Sequence, residues 1–269
     1  MNRRTLIVAN WKMHLNTSQA SVLLHRLQER IKIHRDVEVV LAPSHLLLQA
    51  MSMQIDRRKF RLAAQNAYYV DEGAYTGEVS FTMLKDLVHY TIIGHSERRL
   101  HFHEDLEVVR DKVAAAARND IIPIVCVGET NHERLEGETK QVLHDQIVSA
   151  LANLTKEEVI DTVIAYEPVW AISTFGGQTA QPEDIKQAID YIRRQIADLY
   201  SKSVADQVRV LYGGSVDDST ARSYLAIDGC DGVLVGSASL NYDKFAGIVS
   251  TAYQQLQSKR YGSPEAEQE

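Results

Sequence analysis

The chain has 269 residues, 45% of them hydrophobic, and a formal net charge of −7 at pH 7. That length and apolar content suffice for one large core, and α/β barrels of about 200–250 residues routinely form as single domains. The acidic balance sets aside a nucleic acid or an anionic membrane surface as partner, because nothing in it attracts a polyanion.

The opening Asn2-Arg3-Arg4-Thr5 has the outline of a twin-arginine signal, but the apolar run at 6–9 is too short for one and Asn10, Trp11 and Lys12 follow it. The run at 5–9 is instead the first of eight short β-like segments. The others lie at 37–42, 61–65, 90–94, 121–127, 162–166, 208–212 and 232–235. Several are unbroken in Val, Ile, Leu and Ala, which predicts strands buried on both faces, as in a parallel sheet. Segments of helical periodicity alternate with them, most clearly at 19–33, 106–117, 139–153, 182–199 and 220–225. The alternation predicts an α/β protein with a parallel sheet.

A closed (β/α)8 barrel over residues 1–257 is favoured over an open doubly wound sheet. No Gly-x-Gly-x-x-Gly follows the first strand, and no Gly-x-x-x-x-Gly-Lys-Ser/Thr occurs. The candidate chemical residues also fall just after several different strands, where a barrel gathers its active site. Residues 258–269 are polar and acidic and read as a disordered tail. Cys126 and Cys230 lie in apolar segments and read as buried thiols. No apolar run is long enough to span a bilayer, so the expected location is the cytoplasm.

Tyr166-Glu167-Pro168-Val169-Trp170-Ala171 places a carboxylate at the mouth of the sixth strand, followed by residues suited to a lid. A base under a cover that excludes water is the functional reading; a strand-end salt bridge is the bland one. His95 follows the fourth strand, with Ser96-Glu97-Arg98 able to open a helix whose positive end favours neutral imidazole. Lys12 and Asn10, after the first strand, could supply charge and a hydrogen bond to an oxyanion, with Glu97 as partner of Lys12. Tyr212-Gly213-Gly214-Ser215 and Leu234-Val235-Gly236-Ser237 end the seventh and eighth strands, the usual phosphate site of a barrel. His101, His103, Glu104 and Asp105 lack a complementary ligand set, so no metal site is expected, and Ser44-His45 lacks a nucleophile context.

Taken with Ala64-Gln65-Asn66, Gly77-Glu78 and the run from Pro123 through Thr130, these motifs resemble those of the triosephosphate isomerase family in order and over nearly the whole chain. The resemblance implies interconversion of D-glyceraldehyde 3-phosphate and dihydroxyacetone phosphate through an ene-diol(ate), within glycolysis and gluconeogenesis and without a metal or organic cofactor. Glu167 would be the base and His95 the electrophile that shuttles protons between the two oxygens. Lys12 and Asn10 would stabilise the negative charge. Backbone N–H groups of Ser173, Ser215, Gly236 and Ser237 would bind phosphate, with Gly214 and Glu97 in support. It also implies a homodimer, formed by the loop at 68–79, with Thr76 holding Lys12 and His95 in place across the interface.

Three departures stand out. The lid reads Ala171-Ile172-Ser173-Thr174-Phe175-Gly176-Gly177, longer than the Ala-Ile-Gly-Thr-Gly that the resemblance leads one to expect. Ser237 stands where a glycine is expected, and Val79-Ser80-Phe81 lacks a proline after the serine. The altered lid keeps open an isomerase of a larger phosphorylated ketose, such as a tetrulose phosphate. A catalytically silent barrel scaffold is the alternative from a different class.

Overall fold

The computed structural model describes residues 3–32, 34–172 and 179–261. Eight strands follow one another: β1 (Thr5–Asn10), β2 (Val37–Ala42), β3 (Phe60–Ala64), β4 (Tyr90–Ile93), β5 (Ile122–Val127), β6 (Val163–Tyr166), β7 (Arg209–Tyr212) and β8 (Gly232–Val235). Each pairs in parallel with its chain neighbours, and β8 closes onto β1 with Leu6 opposite Gly232 and Ala9 opposite Val235. Helices occupy the connections, so the molecule is a (β/α)8 barrel.

The strands read as unbroken apolar runs because both of their faces are buried. Leu6 and Val8 of β1 join Val40, Ala63, Ile92, Ile124, Ala165 and Leu211 in the barrel interior. The alternate residues, such as Ile7 and Ala9, pack outward against the helices. Helix Pro182–Leu199 shows how the outer layer is specified. Proline opens it, Glu183 and Asp184 complement its first turn, and Ile185, Ala188, Ile189, Ile192 and Ile196 form the buried stripe. Each fully buried isoleucine contributes about 1.5–3 kcal/mol of transfer free energy.

Several boundaries differ from expectation for local reasons. The first helix is Thr17–Arg30, not 19–33, because Asn16 and Gln19 form a reciprocal capping box around its start. The third strand ends at Ala64, and Gln65 instead turns its amide to the carbonyls of Lys12 and Ala42 at 2.9 and 2.8 Å. Helix His45–Gln54 was not foreseen; its start lacks a side-chain cap and its periodicity is weak. The last helix, Tyr242–Tyr261, runs past Ser258, the residue from which a tail was expected. No helix among the described residues is long and apolar enough to cross a membrane.

At the N-terminal end of the barrel, buried Asp231 accepts bonds from Arg193 at 2.6 Å and Arg3 at 2.7 Å. It also accepts the N–H of Val210 at 2.9 Å. Arg193 reaches the carbonyls of Ala205, Val208 and Gly229 as well, joining helix and loop to the ends of β7 and β8. Arg209 closes the same end of the interior, donating to Glu38 and to the Tyr90 hydroxyl at 3.0 Å each. Burial pushes that phenol up to about 12. With this end filled by side chains, the opposite, C-terminal end is where a cavity can open.

Candidate active site

The C-terminal mouth holds a cavity of about 710 Å³. Asn10, Lys12, His95, Glu97 and Glu167 line one side, and Gly213, Gly214, Ser215, Gly236 and Ser237 line another. The expected site residues from five strand ends therefore meet in one place. Ser173, Phe175, Gly176 and Gly177, which were read as parts of the lid, lie outside the described residues.

Glu167 is only 2% exposed, although it directly follows β6. Its backbone N–H continues the ladder to Val127 at 2.7 Å, which fixes where the side chain begins. Oε2 accepts the Ser96 N–H at 3.1 Å, and Oε1 lies 3.1 Å from His95 Nε2. The β7 loop passes so close that a β-carbon at Gly213 would sit 2.8 Å from Glu167 Cγ. At Gly214 it would sit 2.1 Å from the Tyr212 hydroxyl, so packing alone calls for this pair of glycines.

His95 caps the helix Ser96–His101, and its Nδ1 accepts the Glu97 N–H at 3.2 Å. A ring nitrogen facing a donor carries no proton, so the proton of a neutral ring sits on Nε2, 3.1 Å from Glu167 Oε1. The local fold thus selects one tautomer and points it into the cavity.

Lys12 adopts φ 51°, a left-handed conformation uncommon for a residue with a side chain. Its N–H donates to Asn10 Oδ1 at 3.0 Å, and its carbonyl accepts from Gln65. These bonds hold the strained residue while Nζ reaches Glu97 Oε1 at 2.6 Å. Nζ also faces the β8 loop: a β-carbon added at Gly236 would be 3.9 Å from it. Ser237 begins a short 3₁₀ turn, Ser237–Leu240, with a φ outside the left-handed region, so a serine fits there without strain. Thr76 is exposed and does not line the cavity.

The strand-end readings passed over Glu129, which is fully buried beneath the segment that follows β6. It accepts the Trp170 indole N–H at 2.8 Å and the Tyr166 hydroxyl at 3.2 Å, and its carbonyl accepts the Val169 N–H. Arg134 stacks over the Trp170 ring at 3.9 Å, and Ser215 Oγ donates to the Ala171 carbonyl at 2.9 Å. Burial raises the Glu129 carboxyl above its ordinary value, partly opposed by the bond from Trp170. A carboxylate just after β5 was the available signal. In the histidine and acidic run after β4, Glu104 bonds Arg98 and buried Lys112 at 2.5 Å each.

The sequence model of the triosephosphate isomerase family matches residues 5–252. The chain belongs to the triosephosphate isomerase family. It is 44% identical to triosephosphate isomerase of Clostridium botulinum over 249 residues, 92% of this chain and 99% of that one. The enzyme of Caldanaerobacter subterraneus is likewise 44% identical over the same shares of the two chains. That of Dictyoglomus turgidum is 42% identical over 248 residues, again 92% of this chain and 99% of its relative. The triosephosphate isomerase match spans the barrel from β1 into the last helix, so every strand end that supplies a site residue lies within it.

Proposed function

We propose that this chain interconverts D-glyceraldehyde 3-phosphate and dihydroxyacetone phosphate, with Glu167 as base and His95 as electrophile. The observation that carries the reading is the pair itself: a buried carboxylate beside an imidazole N–H, in a cavity that also holds Lys12. A Glu167 oxygen takes the proton from the carbon next to the carbonyl. The C–H electron pair becomes the C–C double bond of the ene-diolate, and the carbonyl π pair moves onto oxygen. His95 Nε2–H and Lys12 Nζ face that oxygen, His95 passes a proton between the two oxygens, and Glu167 returns its proton to the neighbouring carbon. Asn10 sets the Lys12 backbone. Amides of Ser215, Gly236 and Ser237 hold the phosphate.

The test is steady-state isomerisation of D-glyceraldehyde 3-phosphate by the wild type and by Glu167→Gln. The variant should lose at least about 10²-fold in kcat with little change in KM, the usual scale of general-base catalysis. A near-wild-type kcat would remove Glu167 from its role.

The same proposal includes a homodimer built on the loop 68–79, with Thr76 contributed by the second copy, and a cytoplasmic location. The location is supported by two cysteines that are free thiols.

A further inference from the structure

The cavity extends beyond the residues given roles above, along Asp217, Thr220, Tyr224, Asn241 and Lys244. Lys244 is oddly placed for a structural residue. It lies in the first turn of helix Tyr242–Tyr261, where its N–H is capped by Asn241 Oδ1 at 3.1 Å and where the helix dipole disfavours a cation. No ion pair among the described residues offsets this. Neighbouring Asp243 turns away to Arg30 at 3.1 Å, and Glu97 already takes Lys12.

The charge on the cavity wall gives the placement a purpose. The wall carries Glu97, Glu167 and Asp217 against Lys12 and Lys244. Asp217 is held as an anion by bonds from Ser219 and Thr220, of which the Ser219 hydroxyl bond depresses its carboxyl most. With Lys244 the wall is one charge negative, and without it two. A phosphate dianion entering a protein of net charge −7 meets that field first.

We propose that Lys244 is a phosphate-recognising residue of this cavity, a cation at the β8 side of the mouth that draws the substrate's phosphate in past Asp217. The inference rests on the phosphate-pocket reading and deepens it, adding a side-chain charge to a site otherwise built from amides.

The experiment compares wild type, Lys244→Gln and Lys244→Arg on D-glyceraldehyde 3-phosphate across a range of ionic strength, with unphosphorylated D-glyceraldehyde as a second substrate for the wild type. Lys244→Gln should lower kcat/KM about threefold or more at low salt, through KM, and flatten the fall of kcat/KM with added salt. Lys244→Arg should restore both. Wild-type kcat/KM and salt slope in Lys244→Gln overturn the proposal. So does an equal loss in the glutamine and arginine variants, which marks a packing role. A wild type that shows no preference for the phosphorylated substrate defeats the underlying pocket reading instead.

Discussion

The bond from Glu97 N–H to His95 Nδ1 determines what the imidazole can offer. With Nδ1 accepting that N–H at 3.2 Å, a neutral ring carries its proton on Nε2. Nitrogen-15 NMR of the ring should find that tautomer at neutral pH, and an Nδ1–H signal would contradict the geometry. In the proposed reaction Lys12 acts through charge. Its replacement by glutamine should cost about 10–100-fold in kcat/KM, the equivalent of about 1.5–3 kcal/mol for a hydrogen bond to a charged group, measured by steady-state kinetics. These residues were legible because each follows a strand and carries chemistry unlike its neighbours. Gln65 was not. Counted as strand, its amide had no visible task, and only the geometry shows it bracing the strained carbonyl of Lys12.

Among the elements, the strands were readable to within a residue because doubly buried strands carry an unbroken apolar signature. Helix ends were less so, since Asn16 and Gln19 act through mutual bonds that periodicity does not register. The segment after β6 shows the same limit: Glu129 is tied to Trp170, Tyr166 and Val169, contacts formed across the ends of β5 and β6. Its raised carboxyl has a definite consequence for stability. The folded chain keeps the Glu129 proton to a higher pH than the unfolded chain, whose ordinary value is 4.5. The stability this confers is complete below 4.5 and is lost as pH rises through the folded value. Glu129→Gln cannot lose a proton, so its urea midpoint should fall less than that of the wild type across that window; parallel profiles would contradict this. At the other end of the barrel, Arg193→Met removes the cation that joins Asp231 to three carbonyls. Breaking a buried pair should cost about 3 kcal/mol, read as a shift in urea midpoint, while kcat of the folded fraction stays near that of the wild type.

For the whole molecule, the distribution of exposed apolar side chains bears on assembly. Met13 is 94% exposed, Leu46 79%, Met83 64% and Phe102 63%. They lie in the segments after β1, β2, β3 and β4, which are adjacent in the barrel and so share one flank of it. Loop 68–79 rises from the same flank. Its base is tied by the Tyr68 N–H to the Val79 carbonyl at 2.8 Å, and the Tyr68 ring packs against Tyr69 and Tyr75. An apolar flank with a stiff projection suits a two-fold interface, in which every contact is made twice. Such an interface reaches the chemistry directly, because Met13 is the residue after strained Lys12. In the proposed dimer, the double variant Met13→Glu, Phe102→Glu would bury four unpaired carboxylates, so the wild type should sediment as a dimer and the variant as a monomer. Its melting should remain cooperative, since the barrel core is untouched, while kcat should fall at least about tenfold if the proposed Thr76 of the second copy positions Lys12 and His95. A wild type that is monomeric at micromolar concentration would defeat the dimer. A monomeric variant with full kcat would show that the active site is complete within one chain.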